Sequence, residues 1–245
     1  MQIFVPCEES QVVTEAFRAR GHEAYSCDIM DCSGGHPEWH IKGDCTPLLN
    51  GHCTFATMDG QTHTIDGRWD MILAFPPCTH LAVSGARHFE KKREDGRQRD
   101  GLRFFCQFLN ADCERIAVEN PVNIINGEYV RKWFPDIAEE FGLPIKPTQT
   151  IQPYQFGHPT KKTTCLWLKG LPPLRPTNVV EPELVTHNKR DGGGSNIWKR
   201  SRHLHRHRRH THRMERSQDC CYPLTHFQRS RPCNGRTVGL NGKVR

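Results

Sequence analysis

The first 150 residues alternate between two patterns of apolar and polar positions. Short apolar runs bounded by Gly, Pro or Asp predict buried strands, and apolar residues that recur every three or four positions predict helices. Ser10 is the predicted N-cap of the first helix, whose apolar face includes Val12, Val13 and Phe17, and Gly21 follows its end. The predicted strands are residues 2–5, 23–28, 71–75 and 115–119, and the predicted helices are residues 11–20 and 101–113.

Further strands complete the pattern. Residues 53–57 and 62–66, on either side of Asp59-Gly60, predict a β-hairpin. After Pro144, residues 148–152 and 163–168 predict two closing strands. Strands that alternate with helices predict an α/β fold with a doubly wound, mostly parallel sheet. Because such sheets bind ligands beyond the carboxyl ends of their strands, the residues after each strand are the candidates for function.

The composition argues against a membrane or secreted protein. The chain has 245 residues, of which 36% are hydrophobic, and its mean hydropathy is −0.69. No apolar run approaches the roughly 18 residues of a membrane span, and the first residues lack the basic region of a signal peptide. Twelve cysteines without such a signal indicate reduced thiols. We therefore expect a cytoplasmic protein that does not associate with membranes. The sequence gives no direct signal of oligomerisation, and a monomer is the working expectation.

The net charge of +7 is concentrated at one end of the chain. Residues 199–245, called here the C-terminal segment, hold 13 Lys and Arg against 2 Asp and Glu. The other 198 residues hold 21 basic and 25 acidic side chains and are therefore mildly acidic. We predict one domain over residues 1–198, followed by a disordered, His- and Arg-rich segment that could bind nucleic acid or metal.

Two reactive side chains follow neighbouring predicted strands. Cys78 comes after Pro76-Pro77, which stop the strand and stiffen the turn, so its thiol could act as a nucleophile. Glu119 ends the strand at 115–119 and is followed by Asn120. A buried structural cysteine and a solvated carboxylate are the simpler interpretations of each residue alone. Together, at adjacent strand ends, they predict a nucleophile with an acid partner.

These residues resemble a known family. Phe-Pro-Pro-Cys ending at Cys78, followed by Val-Glu-Asn-Pro around Glu119, is similar to the motifs of cytosine-C5 DNA methyltransferases. PPCTHLAVSGARHF and QPYQFGHPTKKTTCLWLKGLPPL resemble the short phage-type branch, which lacks a large target-recognition domain. The resemblance covers roughly residues 1–198. It implies a Rossmann-like fold that uses S-adenosylmethionine and acts on DNA.

The resemblance also implies roles for individual residues. Cys78 would attack C6 of a cytosine, and Glu119 would hydrogen-bond its N3 and amine, with the base flipped out of the duplex. Asp28 would accept from the donor's ribose hydroxyls and Asp44 from its adenine amine. The other residues implied to lie at the donor are Pro6, Cys7, Glu8, Ser10 and Pro76, and those implied to lie at the substrate are Pro77, Asn120, Lys161 and Lys162.

The chain departs from the family in places, and other functions stay open. Pro-Cys-Glu-Glu-Ser replaces the usual Gly-rich first loop, and Thr79 stands where most relatives have Gln. An amino-group methyltransferase is disfavoured because Phe75 cannot accept a hydrogen bond. The same chemistry on RNA or nucleotide cytosine, and a non-catalytic nucleic-acid-binding protein with this fold, are the alternatives.

The C-terminal segment has a second interpretation. Residues 233–240 can be encoded so that a shift of one base yields Ala-Met-Ala-Glu-Gln-Trp-Ala and a stop. That peptide resembles the C-terminal helix of the phage-type branch, which helps to close the donor pocket. An out-of-frame segment would make its positive charge irrelevant to DNA binding and would put the activity of this chain in question.

Two further patterns concern DNA and metal. Residues 87–103 contain seven basic and four acidic side chains and could follow DNA phosphates, or could form a solvated helix face. Cys27, Cys32, His36 and His40 have spacings that a zinc site could use. We expect no metal, because Cys27 lies in a predicted strand and the adjacent Asp28 is assigned to the donor.

Overall fold

The computed structural model describes residues 1–188 and 194–198, with side chains described for residues 1–183. The C-terminal segment, with both of its interpretations, lies outside the described residues. The strands are β1 (Gln2–Pro6), β2 (Glu23–Asp28), β3 (His40–Lys42), β4 (Cys53–Ala56), β5 (Thr62–Ile65), β6 (Met71–Ala74), β7 (Ile116–Pro121), β8 (Gln149–Ile151), β9 (Thr164–Lys169), β10 (Leu184–Asn188) and β11 (Gly194–Trp198). The α-helices are α1 (Val12–Arg18), α2 (Phe89–Glu94), α3 (Arg97–Leu109), α4 (Tyr129–Trp133) and α5 (Pro135–Phe141).

Seven strands form the central sheet in the order β3-β2-β1-β6-β7-β9-β8. The first five are parallel, and β9 runs antiparallel to both of its neighbours. The chain proceeds outward from β1 to β3 and then returns to place β6 on the other side of β1. Ligands bind at such a reversal in open α/β sheets. The predicted α/β class with a mostly parallel sheet is confirmed, and the arrangement is compatible with a Rossmann-like fold.

The core lies on both faces of this sheet, because successive side chains of a strand point to opposite faces. Ile3 and Val5 of β1 pack against Phe17 of α1 on one face. Phe4, between them, joins the larger core on the other face, to which α3 contributes Phe105. Packing on both faces leaves the carboxyl ends of the strands as the edge at which loops can form a site.

Most predicted elements are present with shifted ends. The hairpin is confirmed as β4 and β5, and the closing strands as β8 and β9. Helix α3 begins at Arg97, four residues before the predicted start at Gly101. Gln98 is buried on its inner face, and because glutamine is polar, the apolar pattern did not indicate the first turn of the helix. Helix α1 is shorter than predicted, and Val12 is exposed rather than part of the apolar face.

The remaining described strands, β10 and β11, pair antiparallel in a separate two-stranded sheet. Among the described helices, none combines the length and the apolar character that crossing a lipid bilayer requires.

Candidate active site

The loop after β6 holds the Cys78 thiol in a closed turn. Pro76 and Pro77 have no amide hydrogen to continue strand pairing, so the chain leaves the sheet there. The carbonyl of Cys78 accepts hydrogen bonds from the amides of Leu81 (3.0 Å) and Ala82 (2.9 Å), which closes the turn. Cys78 is half-buried. The thiol is therefore held by backbone bonds at the carboxyl edge of the sheet.

Asn120 of β7 fastens this turn to the neighbouring strand. Its side chain is only 1% exposed, and its Nδ2 donates to the carbonyl of Pro76 at 2.8 Å. Its Oδ1 accepts from Nδ2 of Asn123 at 3.2 Å. Both ends of the amide are thus used inside the protein. The structure gives Asn120 the role of a positioning residue beneath the site, and the substrate contact implied for it stays a prediction.

Glu119 lies beside Cys78, as the two strand ends predicted. Burial raises the pKa of the Glu119 carboxyl, and Lys162 opposes that rise. Burial is also the main cause that raises the pKa of the Cys78 thiol, and the charge of Glu119 raises it further. The Glu119 charge therefore disfavours ionisation of Cys78, while burial disfavours ionisation of both groups.

Lys162 brings a positive charge to the same place. Its Nζ lies 3.8 Å from Oε1 of Glu119, whose side chain is 22% exposed. The Lys162 amide donates to Oε1 of Gln152 at 3.0 Å, which holds the segment before β9 at this edge. The positive charge also lowers the pKa of Cys78. The structure thus joins predicted residues from three segments, whereas a site role for Lys161 and for Pro77 stays a prediction.

Sequence reasoning missed Lys92 of α2. Its side chain is 9% exposed, and its Nζ donates to the carbonyl of Thr79, next to Cys78, at 2.5 Å. Burial lowers the pKa of Lys92, and its positive charge in turn lowers the pKa of Cys78. Lys92 lies in a run of charged residues, which predicts exposure. The one sequence feature that indicates its burial is its position three residues after Phe89, on the same face of the helix.

We predict that Lys92→Met slows the reaction of the Cys78 thiol with iodoacetamide about tenfold near neutral pH. The substitution removes a charge-assisted hydrogen bond to the turn and a positive charge that favours the thiolate. The measurement is the rate of alkylation against pH, followed on the Cys78 peptide by mass spectrometry. Lys91→Met, on the exposed side of the same helix, is the control and should leave the rate unchanged. Equal rates in both variants would contradict a positioning role for Lys92.

The predicted donor residues gather at the ends of β1 and β2. Pro6 is buried, and its carbonyl accepts from the amide of Phe75 at 3.1 Å, which joins β1 to the Cys78 loop. Cys7 has a left-handed backbone (φ 62°), and its amide donates to Cys27 at 2.7 Å. Pro76 is buried at the start of the neighbouring turn. The backbone at this edge is thus tightly turned, as a close approach to a ligand requires.

Asp28 and Asp44 lie near each other, because the Gly43 amide donates to the carbonyl of Asp28 at 2.8 Å. Each carboxylate accepts one local amide, that of Met30 for Asp28 and that of Thr46 for Asp44. Their remaining acceptor capacity faces no cation among the described residues. Met30, directly after Asp28, is 59% exposed, so an apolar side chain flanks these carboxylates.

Glu8, predicted to lie at the donor, has a structural role at the start of α1. Its buried carboxylate accepts from the amides of Val13 (2.6 Å) and Thr14 (3.2 Å) and from the Thr14 hydroxyl (2.7 Å). It therefore caps α1, and the prediction of Ser10 as N-cap is wrong, since Gln11 occupies that position. Burial raises the pKa of Glu8, while its bonds to Thr14 and Val13 lower it. Donor contacts by Glu8 and Ser10 stay predictions.

We predict that Glu8→Ala lowers the free energy of unfolding by about 2 kcal/mol, because three helix donors lose their acceptor. The unfolding midpoint should fall by about 6 °C, measured by circular dichroism. Glu139→Ala, at an exposed position of α5, is the control and should change stability by less than about 0.5 kcal/mol. If Glu8→Ala instead weakened donor binding at unchanged stability, the capping role would be refuted.

The basic run at 87–103 is divided by the fold. Arg99 and Arg103 of α3 pair with Asp136 and Glu140 of α5, and Arg97 pairs with Asp95. These arginines are therefore neutralised, as a solvated, ion-paired helix face requires. Within the described part of the chain, Arg87 and the cations of α2 form no ion pair with a carboxylate.

The possible zinc spacing does not form a site among the described residues. The ring nitrogens of His40 contact the Ser26 hydroxyl (2.8 Å) and the carbonyl of Met30 (3.0 Å). Nδ1 of His36 contacts Glu38 at 3.0 Å. Within the part of the chain with described side chains, no group of three or more His, Cys, Asp or Glu is arranged to hold a metal ion.

The fold and the site define an α/β protein with a mostly parallel sheet and with a thiol, a carboxyl and an ammonium group at adjacent strand ends. Compared with known proteins, the chain matches no protein-family model and has no significant match among curated proteins.

Proposed function

We propose that this protein transfers a methyl group from S-adenosylmethionine to C5 of cytosine in DNA. The observation that carries the proposal is the grouping of Cys78, Glu119 and Lys162 at one edge of the sheet. The motifs around these residues, which resemble those of cytosine-C5 DNA methyltransferases, support it. A solvated carboxylate would be exposed and distant, whereas Glu119 is largely buried and close enough for its charge to raise the pKa of the Cys78 thiol.

In this proposal Cys78 is the nucleophile. Its thiolate forms a bond to C6 of the cytosine, which transfers electron density to C5 and makes that carbon nucleophilic. After C5 has gained the methyl group, its proton leaves to solvent or base and the thiolate is eliminated from C6. The ring is restored, and the enzyme returns to its starting form.

Glu119 is the acid partner. A carboxyl whose pKa is raised by burial can carry the proton that the cytosine N3 needs as the adduct forms. The proton of the Cys78 thiol has a nearby acceptor in the Glu119 carboxylate, so one transfer prepares both groups. Lys162, 3.8 Å from Glu119, offers a hydrogen-bond donor to the base and limits the accumulation of negative charge.

The methyl donor fits the other half of this edge. Asp28 and Asp44 retain acceptor capacity for hydroxyl and amine donors, the exposed Met30 offers an apolar surface for an aromatic ring, and the turn at Cys7 leaves backbone close to the site. When bound, S-adenosylmethionine supplies an electrophilic methyl group on its sulfonium. These residues would hold it at the switch point between β1 and β6, where α/β sheets bind ligands.

The test uses the full chain, labelled methyl donor and DNA that contains either cytosine or 5-fluorocytosine. We expect 5-methylcytosine in the first DNA and a stable covalent complex with the second, because fluorine cannot leave C5 as a proton does. Mass spectrometry should locate the adduct on the Cys78 peptide. The same assays are run on a second chain in which the reading frame is restored after Trp198. Activity in that chain alone would show that the altered C-terminus, and not a wrong functional assignment, explains inactivity of the original chain.

RNA of the same sequence and free cytidine nucleotides serve as parallel substrates. Methylation of either in place of DNA would change the substrate class and keep the chemistry. Binding of DNA without methyl transfer or adduct, in both the original and the restored chain, would refute the proposal and favour a non-catalytic nucleic-acid-binding protein.

A further inference from the structure

The helices that follow the two strand ends of the site meet beside it. Helix α2 follows the Cys78 turn, α4 follows the end of β7, and the rings of Phe89 and Tyr129 join them at 5.3 Å. The Arg93 guanidinium of α2 lies 4.0 Å from the ring centre of Trp133 on α4 and bonds to the Tyr129 hydroxyl. Lys132 Nζ lies 5.0 Å from the same ring. The two helices thus form one continuous surface, called here the α2–α4 surface.

This surface carries positive charge that the fold does not neutralise. Three of its cations are Lys91, Arg93 and Lys132. Lys91 and Lys132 are exposed, and Arg93 and Lys132 lie over the Trp133 ring. Within the described part of the chain, none of the three forms an ion pair with a carboxylate. The adjacent helix α3 differs, because Arg99 and Arg103 are paired with carboxylates of α5. Unpaired cations in a mildly acidic domain indicate an anionic partner.

The surface also exposes an aromatic ring. Trp133 is 43% exposed, although burying a tryptophan is favourable. An arginine stacked on it is held in place and loses little conformational freedom on binding a phosphate. Cations beside an exposed aromatic ring suit a DNA backbone, whose phosphates bind the cations and whose sugars offer an apolar contact for the ring.

The surface begins close to the candidate nucleophile. Lys92 lies between Lys91 and Arg93 and reaches the carbonyl of Thr79 from the inner side of α2. The exposed side of that helix is therefore about one helix diameter, roughly 10 Å, from the Cys78 turn. We infer that the α2–α4 surface binds the DNA phosphodiester backbone beside the base that enters the site. The inference rests on the proposed function for its choice of DNA over another polyanion.

The test measures how the affinity for duplex DNA depends on salt, in the full chain without methyl donor. Lys91→Ala combined with Lys132→Ala should lower the slope of log affinity against log salt by about two, since each phosphate contact contributes about 0.9. Affinity near 0.1 M salt should fall at least about tenfold. The control, Arg99→Ala with Arg103→Ala, removes the same charge from α3 and should leave the slope unchanged. Both double variants keep the C-terminal segment, so its contribution cancels.

A third variant separates the contact of the ring from charge. Trp133→Ala should weaken binding about tenfold without changing the slope, because an apolar contact between the ring and a deoxyribose releases no counterions. Equal losses of slope in the two double variants would attribute the effect to total charge and overturn the inference. The inference would also be overturned if Lys91→Ala with Lys132→Ala weakened binding to a polyglutamate peptide but left binding to DNA unchanged. That result would assign the surface to an acidic protein.

The same measurements distinguish this inference from the proposed function. If DNA methylation is absent while the α2–α4 variants still reduce the salt slope, the surface stands and the catalytic proposal fails. If labelled methyl groups reach cytosine while the slopes of all variants stay equal, the catalytic proposal stands and the surface is wrong.

Discussion

Replacing Cys78 with alanine is expected to abolish methyl transfer to cytosine, with a loss of at least about 10⁴-fold in rate. The reason is that no bond to C6 can form, so C5 never becomes nucleophilic. The same variant should form no covalent complex with DNA that contains 5-fluorocytosine. The measurements are the initial rate of labelled methyl incorporation and the fraction of protein shifted in a denaturing gel.

Two other cysteines provide matched controls for this experiment. Cys53 of β4 is half-buried, and burial raises the pKa of its thiol as it does for Cys78. Cys165 of β9 is buried; burial is the main cause that raises the pKa of its thiol, and the nearby Glu119 charge raises it further. Alanine at either position should leave adduct formation intact. An adduct that persists in Cys78→Ala and vanishes in Cys165→Ala would contradict the assignment of the nucleophile.

Replacing Glu119 with glutamine is expected to reduce methyl transfer by about 10²- to 10³-fold, because an amide cannot carry the proton to N3. It should also change the shape of the pH profile. In the wild-type protein the active form has an ionised thiol and a protonated carboxyl. That form holds as many protons as the dominant form, in which the thiol is protonated and the carboxyl ionised.

The rate of the wild-type protein should therefore be flat between the two pKa values. It should fall below the Glu119 pKa, where both groups are protonated, and above the Cys78 pKa, where neither is. Burial raises both pKa values, so the acid limb should lie above the ordinary range of a glutamate and the alkaline limb above that of a cysteine. In Glu119→Gln only the thiolate matters, and the rate should rise with pH to a plateau.

The midpoint of that rise should lie below the wild-type alkaline limb, because the charge of Glu119 no longer raises the Cys78 pKa. Single-turnover rates across the pH range measure both profiles. Glu139→Gln, at an exposed position of α5, is the control and should retain the wild-type bell. A bell of unchanged shape in Glu119→Gln would show that Glu119 is not the acid partner.

Local pattern predicted the sheet well because a buried strand is a property of a few adjacent residues. β2 has the predicted bounds of Glu23–Asp28, and β6 and β7 differ from prediction by one or two residues. The helices were less predictable. Their buried faces include polar side chains, such as Gln98 in α3, and a search for apolar residues at helical spacing does not detect such positions.

The site was predictable only in part, because some of its contacts join residues that are distant along the chain. Cys78 and Glu119 were predicted to meet because parallel strands bring their carboxyl ends to one edge. Sequence position alone could not assign Glu8 to a helix cap or Lys92 to the Cys78 turn. Each depends on which backbone group a side chain reaches after the chain has turned, and Lys92 reaches across 13 residues.

The amino-acid sequence by itself determined the α/β class and most strands of the central sheet, although it did not predict β3. It also identified the Cys78 thiol after β6 and the Glu119 carboxyl in the last half of β7, because these depend on local periodicity and on residues that stop strands. Only the tertiary structure decided which charges remain available. Arg99 is neutralised by Asp136, 37 residues away, whereas Arg93 lies on Trp133 of another helix. Whether a charge is paired depends on distances between segments that are remote along the chain, and those distances exist only once the helices have packed.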